Sequence, residues 1–289
     1  MTAAKSKSAI LVLCAAALWG CIGLFTNALS ARGLTALEIT SVRLTGSAIV
    51  LSLLFLVRDR SLFRIRFCDL WCFLGTGIGS FVFFNWCYFN CIQACSLSVA
   101  AILLYTAPCF VILLSALFFR EKLTAKKGVA LLLTFGGCVL VTGLGSGISV
   151  TAAGLLLGLG SGVGYALYSI FGRAALQRGY SPAAITLWTV LCGGLGVLPL
   201  LDLRHYDAVL TGGSTLLLGL GLILLCTILP MFLYTTGLSG LENGRASLLA
   251  TLEPVIATVL SVLVYHEQLG IMRLVGILLV LLAVWLLRD

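Results

Sequence analysis

The chain has 289 residues, 61% of them hydrophobic and only 10% charged, with a formal net charge of +8. A soluble globular chain is roughly 45–50% apolar and about 25% charged, so the polar surface here is too small to clothe a water-soluble domain, and the chain belongs in lipid. In a soluble protein this charge would suggest nucleic acid; here the basic residues fall at the ends of apolar runs, where they act as topology signals and meet anionic headgroups, so the partner is the lipid bilayer and not nucleic acid.

The first stretch, MTAAKSKSAILVLCAAALWG, sets Lys5 and Lys7 ahead of an apolar run and imitates a signal peptide, but the many apolar runs after it favour an uncleaved first helix. A membrane-spanning helix needs about 20 mostly apolar residues. Ten segments meet that requirement: 9–30, 36–57, 69–92, 97–119, 126–144, 152–176, 183–201, 212–237, 245–265 and 271–288. The expected fold class is all-α integral membrane with ten transmembrane helices. With Lys5 and Lys7 in the cytoplasm and sides alternating, only Arg32, Arg43, Arg204 and Arg273 of the 18 Lys and Arg residues fall on the far side or in the helix half nearest it. That bias predicts cytoplasmic termini in a plasma (inner) membrane.

One phrase occurs twice. LLYTAPCFVILLSALFFREKLT starts at Leu103, and ATLEPVIATVLSVLVYHEQLG starts at Ala250. Pro108 and Pro254 are 146 residues apart, as are Glu121 and Glu267, Leu123 and Leu269, and Tyr88 and Tyr234. RGLTALEIT from Arg32 falls on RGYSPAAIT from Arg178 without a gap, and Trp19 falls on Tyr165. One register held along the chain is an internal repeat, with halves at 1–145 and 146–289. Five spans per half is an odd number, so the second half enters the membrane from the opposite side. Such inverted repeats interconvert between inward-open and outward-open forms around a midplane site.

The segments LYTAPCFVILLSALFFREKLTAKKGVALLLTFGGCVLV and LLATLEPVIATVLSVLVYHEQLGIMRLVGILLVLLAVWLL resemble the hallmark segments of EamA-type transporters of the drug/metabolite transporter superfamily. The resemblance extends over essentially the whole chain, including ALWG in the first helix and Arg43 in the second. It implies ten helices in two EamA repeats and the movement of small metabolites, often amino acids, without fixing the substrate.

Glu253 is the sharpest site candidate. It lies about eight residues into the ninth span, ~12 Å deep at 1.5 Å per residue. An ionisable group at such depth costs ~2.5–3.5 kcal/mol on insertion scales and is functional by default. It suits a proton-coupling group, a partner for a cationic substrate group, or a structural hydrogen-bond acceptor; its counterpart in the first half is Ala107. Pro108 and Pro254 lack an N–H and free the carbonyls of Leu104 and Ala250, which must face protein or water, so both are helix-break candidates lining a cavity or simply packing kinks. Trp19, Tyr88, Tyr105, Tyr165, Tyr168 and Tyr234 are aromatic candidates for the walls of a central substrate cavity, with ordinary helix packing as the alternative. Asn85 joins them as a mid-helix amide, as does Asn27, each a substrate contact or interhelical glue.

Other features read as structural. Arg43 either snorkels, pairs with Glu38 or binds a substrate carboxylate, and Arg173 snorkels to the interface. Glu121 and Glu267 sit at helix ends as hydrogen-bonding groups. Gly154, Gly158 and Gly162, with Gly160 and Gly164, follow a close-packing spacing. Cys87, Cys91 and Cys95 share one helical face, where packing outweighs thiol chemistry. The 11 cysteines form no spaced CxxC pairs and there are two histidines, so no metal and no cofactor is expected.

The expected function is a secondary, non-ATP transporter of a small-molecule substrate, most naturally an amino-acid exporter, open to proton coupling through Glu253 and needing no obligatory protein partner. No P-loop sequence occurs. A channel or lipid scramblase is the alternative. A membrane-embedded lipid-modifying enzyme is less favoured, because the aspartates Asp59, Asp69, Asp202, Asp207 and Asp289 all fall at loops or termini and form no acidic cluster within the spans.

Overall fold

The computed structural model describes residues 3–142, 151–200, 213–266 and 270–287. Glu267, Leu269, Arg204, Asp202, Asp207, His205, Arg288 and Asp289 lie outside the described residues.

The first half runs α1 (Ala3–Gly20), α2 (Ile22–Ser30) and α3 (Ala36–Arg58), then α4 (Leu70–Leu74) and α5 (Phe83–Ala94) joined by a π-helical stretch, Gly75–Val82. It closes with α6 (Leu97–Leu104), α7 (Ala107–Phe119) and α8 (Ala125–Thr142). The second half runs α9 (Ala152–Gln177), α10 (Pro182–Val197) and α11 (Gly213–Ile223), a π-helical stretch at Leu224–Ile228, α12 (Leu229–Gly240), α13 (Asn243–Ala250), α14 (Glu253–Tyr265) and α15 (Ile271–Leu286). Among the described residues eight helical stretches are long and apolar enough to cross a membrane, and Pro182–Val197 and Ile271–Leu286 are shorter apolar helices.

The 146-residue register governs the backbone. Helices start at 36 and 182, 97 and 243, 107 and 253, and 125 and 271. The two described non-glycine residues with positive φ, Arg120 at 55° and His266 at 54°, are equivalent, as are Gly33 at 97° and Gly179 at 87°. Thr35 and Ser181, also equivalent, cap α3 and α10 by accepting from the Glu38 and Ala184 N–H groups. The π-helical stretches coincide over 78–82 and 224–228. Equivalent sequences impose equivalent caps and turns, so the repeat is a property of the fold and not of the alphabet alone.

Pro108 and Pro254 each act by breaking a helix. Pro108 sits in the first turn of α7 and Pro254 in the first turn of α14. A missing N–H is tolerated there, since first-turn N–H groups have no intrahelical acceptor. The helices before them stop at Leu104 and Ala250, and Tyr105 and Thr251 close them with nearly the same dihedrals (φ −73°, ψ 6° and φ −69°, ψ 4°).

Glycines let neighbours press on both breaks. A Cβ on Gly158 would lie 2.2 Å from the Leu103 side chain, and one on Gly162 2.6 Å from Thr106 Oγ1, so α9 lies directly on the first break. A Cβ on Gly20 would lie 2.9 Å from the Glu253 carbonyl, so α1 lies on the second. Gly160 and Gly164 face α5, and Cys91 Sγ donates to the Gly154 carbonyl at 3.2 Å along that contact. The glycine and cysteine faces thus serve helix packing.

Helices α8 and α15 cross where Gly137 and Gly276 meet, each placed so that an added Cβ would lie within 2.8 Å of the other's carbonyl oxygen. Gly276→Leu is therefore expected to destabilise the fold by about 1–3 kcal/mol, the cost of overpacking a closed contact. Gly136→Leu, at a position where a Cβ meets nothing within 4 Å, is the control. Comparing thermal unfolding of the two variants in detergent checks this; equal midpoints would show that the crossing is not tight.

Candidate central substrate site

The two breaks converge on one small cavity. Leu104, Tyr105, Ala107 and Pro108 line it from the first half, and Ala250, Thr251 and Glu253 from the second. They include three repeat-related pairs: Leu104 with Ala250, Tyr105 with Thr251, and Ala107 with Glu253. Tyr165 of α9 and Ser247 of α13 complete the wall. The cavity volume is about 10 Å³, near the minimum for a single water, so the site is closed around no more than a water-sized space.

Glu253 owes its position to the break. As the first residue of α14 it projects its carboxylate into the cavity, where Tyr165 Oη donates to Glu253 Oε2 at 3.1 Å. The carboxylate at a helix N-terminus is also favoured by the helix dipole. An aromatic chain runs outward from Tyr165: Trp19 packs edge-on at 6.5 Å and Phe84 edge-on at 5.8 Å, with Tyr88 beside Phe84 at 5.8 Å. Trp19 also packs on Tyr234 at 5.3 Å. The equivalents Trp19 and Tyr165 thus meet in space, with Tyr165 on the cavity wall and Trp19 packed behind it, outside the lining.

The two halves that build this cavity also carry one family signature each: residues 6–143 and residues 152–288 both match the EamA-like transporter family. The chain belongs to that family. Relatives include an uncharacterized transporter of Archaeoglobus fulgidus, 29% identical over 65% of this chain and 66% of its own length, and a second from the same organism, 29% identical over 66% and 67%. The threonine/homoserine exporter RhtA of Escherichia coli is 29% identical over 71% of this chain and 66% of its own. The matched stretches thus span about two thirds of the length of these relatives. A solved crystal structure matches 97% of this chain and 96% of its own, with a TM-score of 0.81 at 20% identity, which is a likeness of fold. This EamA-family chain is a multi-pass membrane protein.

Within the EamA framework the remaining candidates divide. Tyr105, Tyr165, Glu253 and Pro108 line the cavity, with Pro254 directly behind Glu253. Tyr168 and Tyr234 are buried in helix contacts: Tyr168 Oη pairs with Thr235 Oγ1 at 2.9 Å, and Tyr234 Oη with Ser169 Oγ at 2.7 Å. Asn85 donates to the Phe81 carbonyl at 2.7 Å and accepts from Thr40 at 3.3 Å, joining α5 to α3. Asn27 is exposed. Glu38 forms a capping box with Thr35, accepting from its N–H at 2.7 Å.

A second, larger cavity of about 460 Å³ opens where Lys5, Glu121, Arg173, Glu242 and Arg245 meet. Glu121 reaches across to the second half and accepts from the Asn243 N–H at 2.7 Å and the Gly244 N–H at 3.3 Å, so it caps α13. Lys127 stands between Glu121 at 3.5 Å and Glu242 at 2.7 Å. Arg173 does not simply snorkel: its Nε donates to Asn243 Oδ1 at 2.7 Å and its Nη2 to the Leu241 carbonyl. Sequence reasoning marks Glu121 as a helix-end group and gives no sign that the end belongs to α13. It misses Ser247 and Thr251 of the cavity wall, which only their closeness to Glu253 in the chain signals.

Proposed function

We propose that the chain is a secondary transporter that moves a small metabolite, an amino acid or a close relative, by alternating access. The observation that carries this is Glu253: one carboxylate set at the convergence of two broken, repeat-related helices, in a cavity closed down to about 10 Å³. Broken helices at a repeat interface are where such carriers hold substrate. In this reading the chain forms ten transmembrane helices as two inverted five-helix repeats, 1–145 and 146–289, with α10 and α15 as the two short spans. Both termini face the cytoplasm of the plasma (inner) membrane, transport runs outward, and Glu253 couples it to protons. The match to RhtA, named a threonine/homoserine exporter, supports the substrate class and direction.

The test is uptake by purified protein in liposomes, screening labelled amino acids and related metabolites with and without an imposed pH gradient. Saturable uptake with counterflow above empty liposomes is expected. Non-saturable flux without counterflow would replace the carrier by a channel.

A further inference from the structure

The closed cavity is walled by groups that can accept but have little left to donate. Pro108 and Pro254 have no N–H to return to the carbonyls of Leu104 and Ala250, and both of those residues line the cavity. The backbone bonds that close the two breaks run to the carbonyls of Ala101 and Leu103, and of Leu248 and Leu249; none among the described residues reaches Leu104 or Ala250. Two hydroxyls of the wall are spent as donors. Thr251 Oγ1 gives its proton to the Leu248 carbonyl at 2.5 Å, and Tyr165 Oη gives its proton to Glu253 Oε2 at 3.1 Å. What these groups still offer the cavity is lone pairs. The Glu253 carboxylate adds one formal negative charge, and no described residue lining the cavity is cationic. A buried carboxylate held among lone pairs is costly until a positive partner completes it.

Size and charge narrow that partner. A space of about 10 Å³ admits one water-sized body and no metabolite. One carboxylate balances one charge, and its counterpart in the first half is the uncharged Ala107. No group of three His, Cys, Asp or Glu gathers among the described residues, as a transition-metal site or a carboxylate cage for a divalent ion would need. Helix-end carbonyls beside a broken segment are instead the ligands that replace the hydration shell of an alkali cation. We propose that the closed cavity binds one dehydrated sodium-sized cation, held by the Glu253 carboxylate, the freed carbonyls of Leu104 and Ala250 and the hydroxyl oxygens of Ser247 and Thr251. This rests on the transporter reading above and adds to it an ion that fills the site while the metabolite is absent. A proton and this cation are alternative partners of one carboxylate, so the ion site extends the proton coupling proposed above.

The test uses the full-length protein in detergent, with sodium chloride exchanged mole for mole against choline chloride so that ionic strength stays constant. Binding is read as a rise in the unfolding midpoint. Wild-type protein is expected to gain stability saturably with sodium and to gain none with choline, which is too large for the cavity. Glu253→Gln is expected to raise the half-saturating sodium concentration at least ~10-fold, the value of one lost charged contact. Thr251→Ala removes one neutral oxygen and is expected to raise it ~2- to 10-fold, with Thr251→Ser restoring it. A merely structural Thr251 would lower the sodium-free midpoint and leave the half-saturating concentration unchanged, and that overturns the proposal. Equal stabilisation by choline means ionic strength alone and also overturns it. An undiminished sodium effect in Glu253→Gln puts the ion elsewhere and overturns it too. Saturable uptake in the liposome screen by a protein without a sodium effect would leave the transporter reading standing and remove the ion site.

Discussion

Replacing Glu253 by glutamine is expected to cut uptake at least ~10-fold while leaving thermal stability close to wild type. Glutamine has nearly the same volume and keeps an oxygen that accepts from Tyr165, so the contact at 3.1 Å survives the change. What disappears is the negative charge, and a hydrogen bond to a charged partner is worth roughly 1.5–3 kcal/mol, or about 10- to 100-fold in binding. No second carboxylate lines the cavity to stand in for it among the described residues. If the carboxylate also couples transport to protons, the variant loses the response to an imposed pH gradient together with its rate. Tyr165→Phe keeps the charge and removes only the group that orients it, so a smaller loss is expected, with the gradient response retained. The measurement is initial uptake against substrate concentration for all three proteins, alongside their unfolding midpoints. Wild-type uptake by a stably folded Glu253→Gln protein, with and without the gradient, would take Glu253 out of the site.

What the sequence discloses and what it hides follow from the range of the interactions. The 146-residue register rests on local signals, prolines, caps and turn residues, and these dictate backbone conformation wherever they occur. That is why Arg120 and His266, chemically unlike, share one left-handed conformation. The prolines announce a disturbance but not its form: whether a helix kinks or stops depends on whether neighbours can approach the freed backbone, and here Gly158, Gly162 and Gly20 allow it. Apolar periodicity cannot separate a cavity-lining tyrosine from a packed one. Tyr165 and Tyr168 are one helical turn apart, yet one bonds Glu253 and the other Thr235, a distinction set by helices 67 or more residues away. The same holds for Arg43 with Thr227, 184 residues on. Long polar side chains in a membrane protein are legible as costly, but their partners are not, because the partners lie far along the chain, in the same repeat for Glu253 with Tyr165 and in the other for Arg43 with Thr227.

Glu121→Ala is expected to be among the most destabilising single changes in the chain, because Glu121 does three things from one side chain. It accepts two first-turn N–H groups of α13, which otherwise have no intrahelical acceptor, and it pairs with Lys127. The Glu121 and Lys127 side chains are only 10% and 9% exposed, so water is poorly placed to replace either partner. Breaking a buried pair by removing one member costs roughly 3–5 kcal/mol. The lower part of that range is expected here, since Lys127 keeps Glu242 at 2.7 Å and the Lys122 carbonyl at 3.0 Å. Glu121→Gln retains one acceptor oxygen for the helix end and should lose less. Glu242→Gln removes a carboxylate that is 57% exposed and should cost under ~1 kcal/mol, as surface pairs do. Unfolding midpoints of the purified proteins would then fall in the order wild type, Glu242→Gln, Glu121→Gln, Glu121→Ala. Hydrogen exchange at Asn243 and Gly244 supplies the local readout: both amides should exchange faster in Glu121→Ala but not in Glu242→Gln. Unchanged exchange there would mean that α13 is held by the Arg173 contacts to Asn243 and Leu241, and that Glu121 is dispensable to the joint between the two halves.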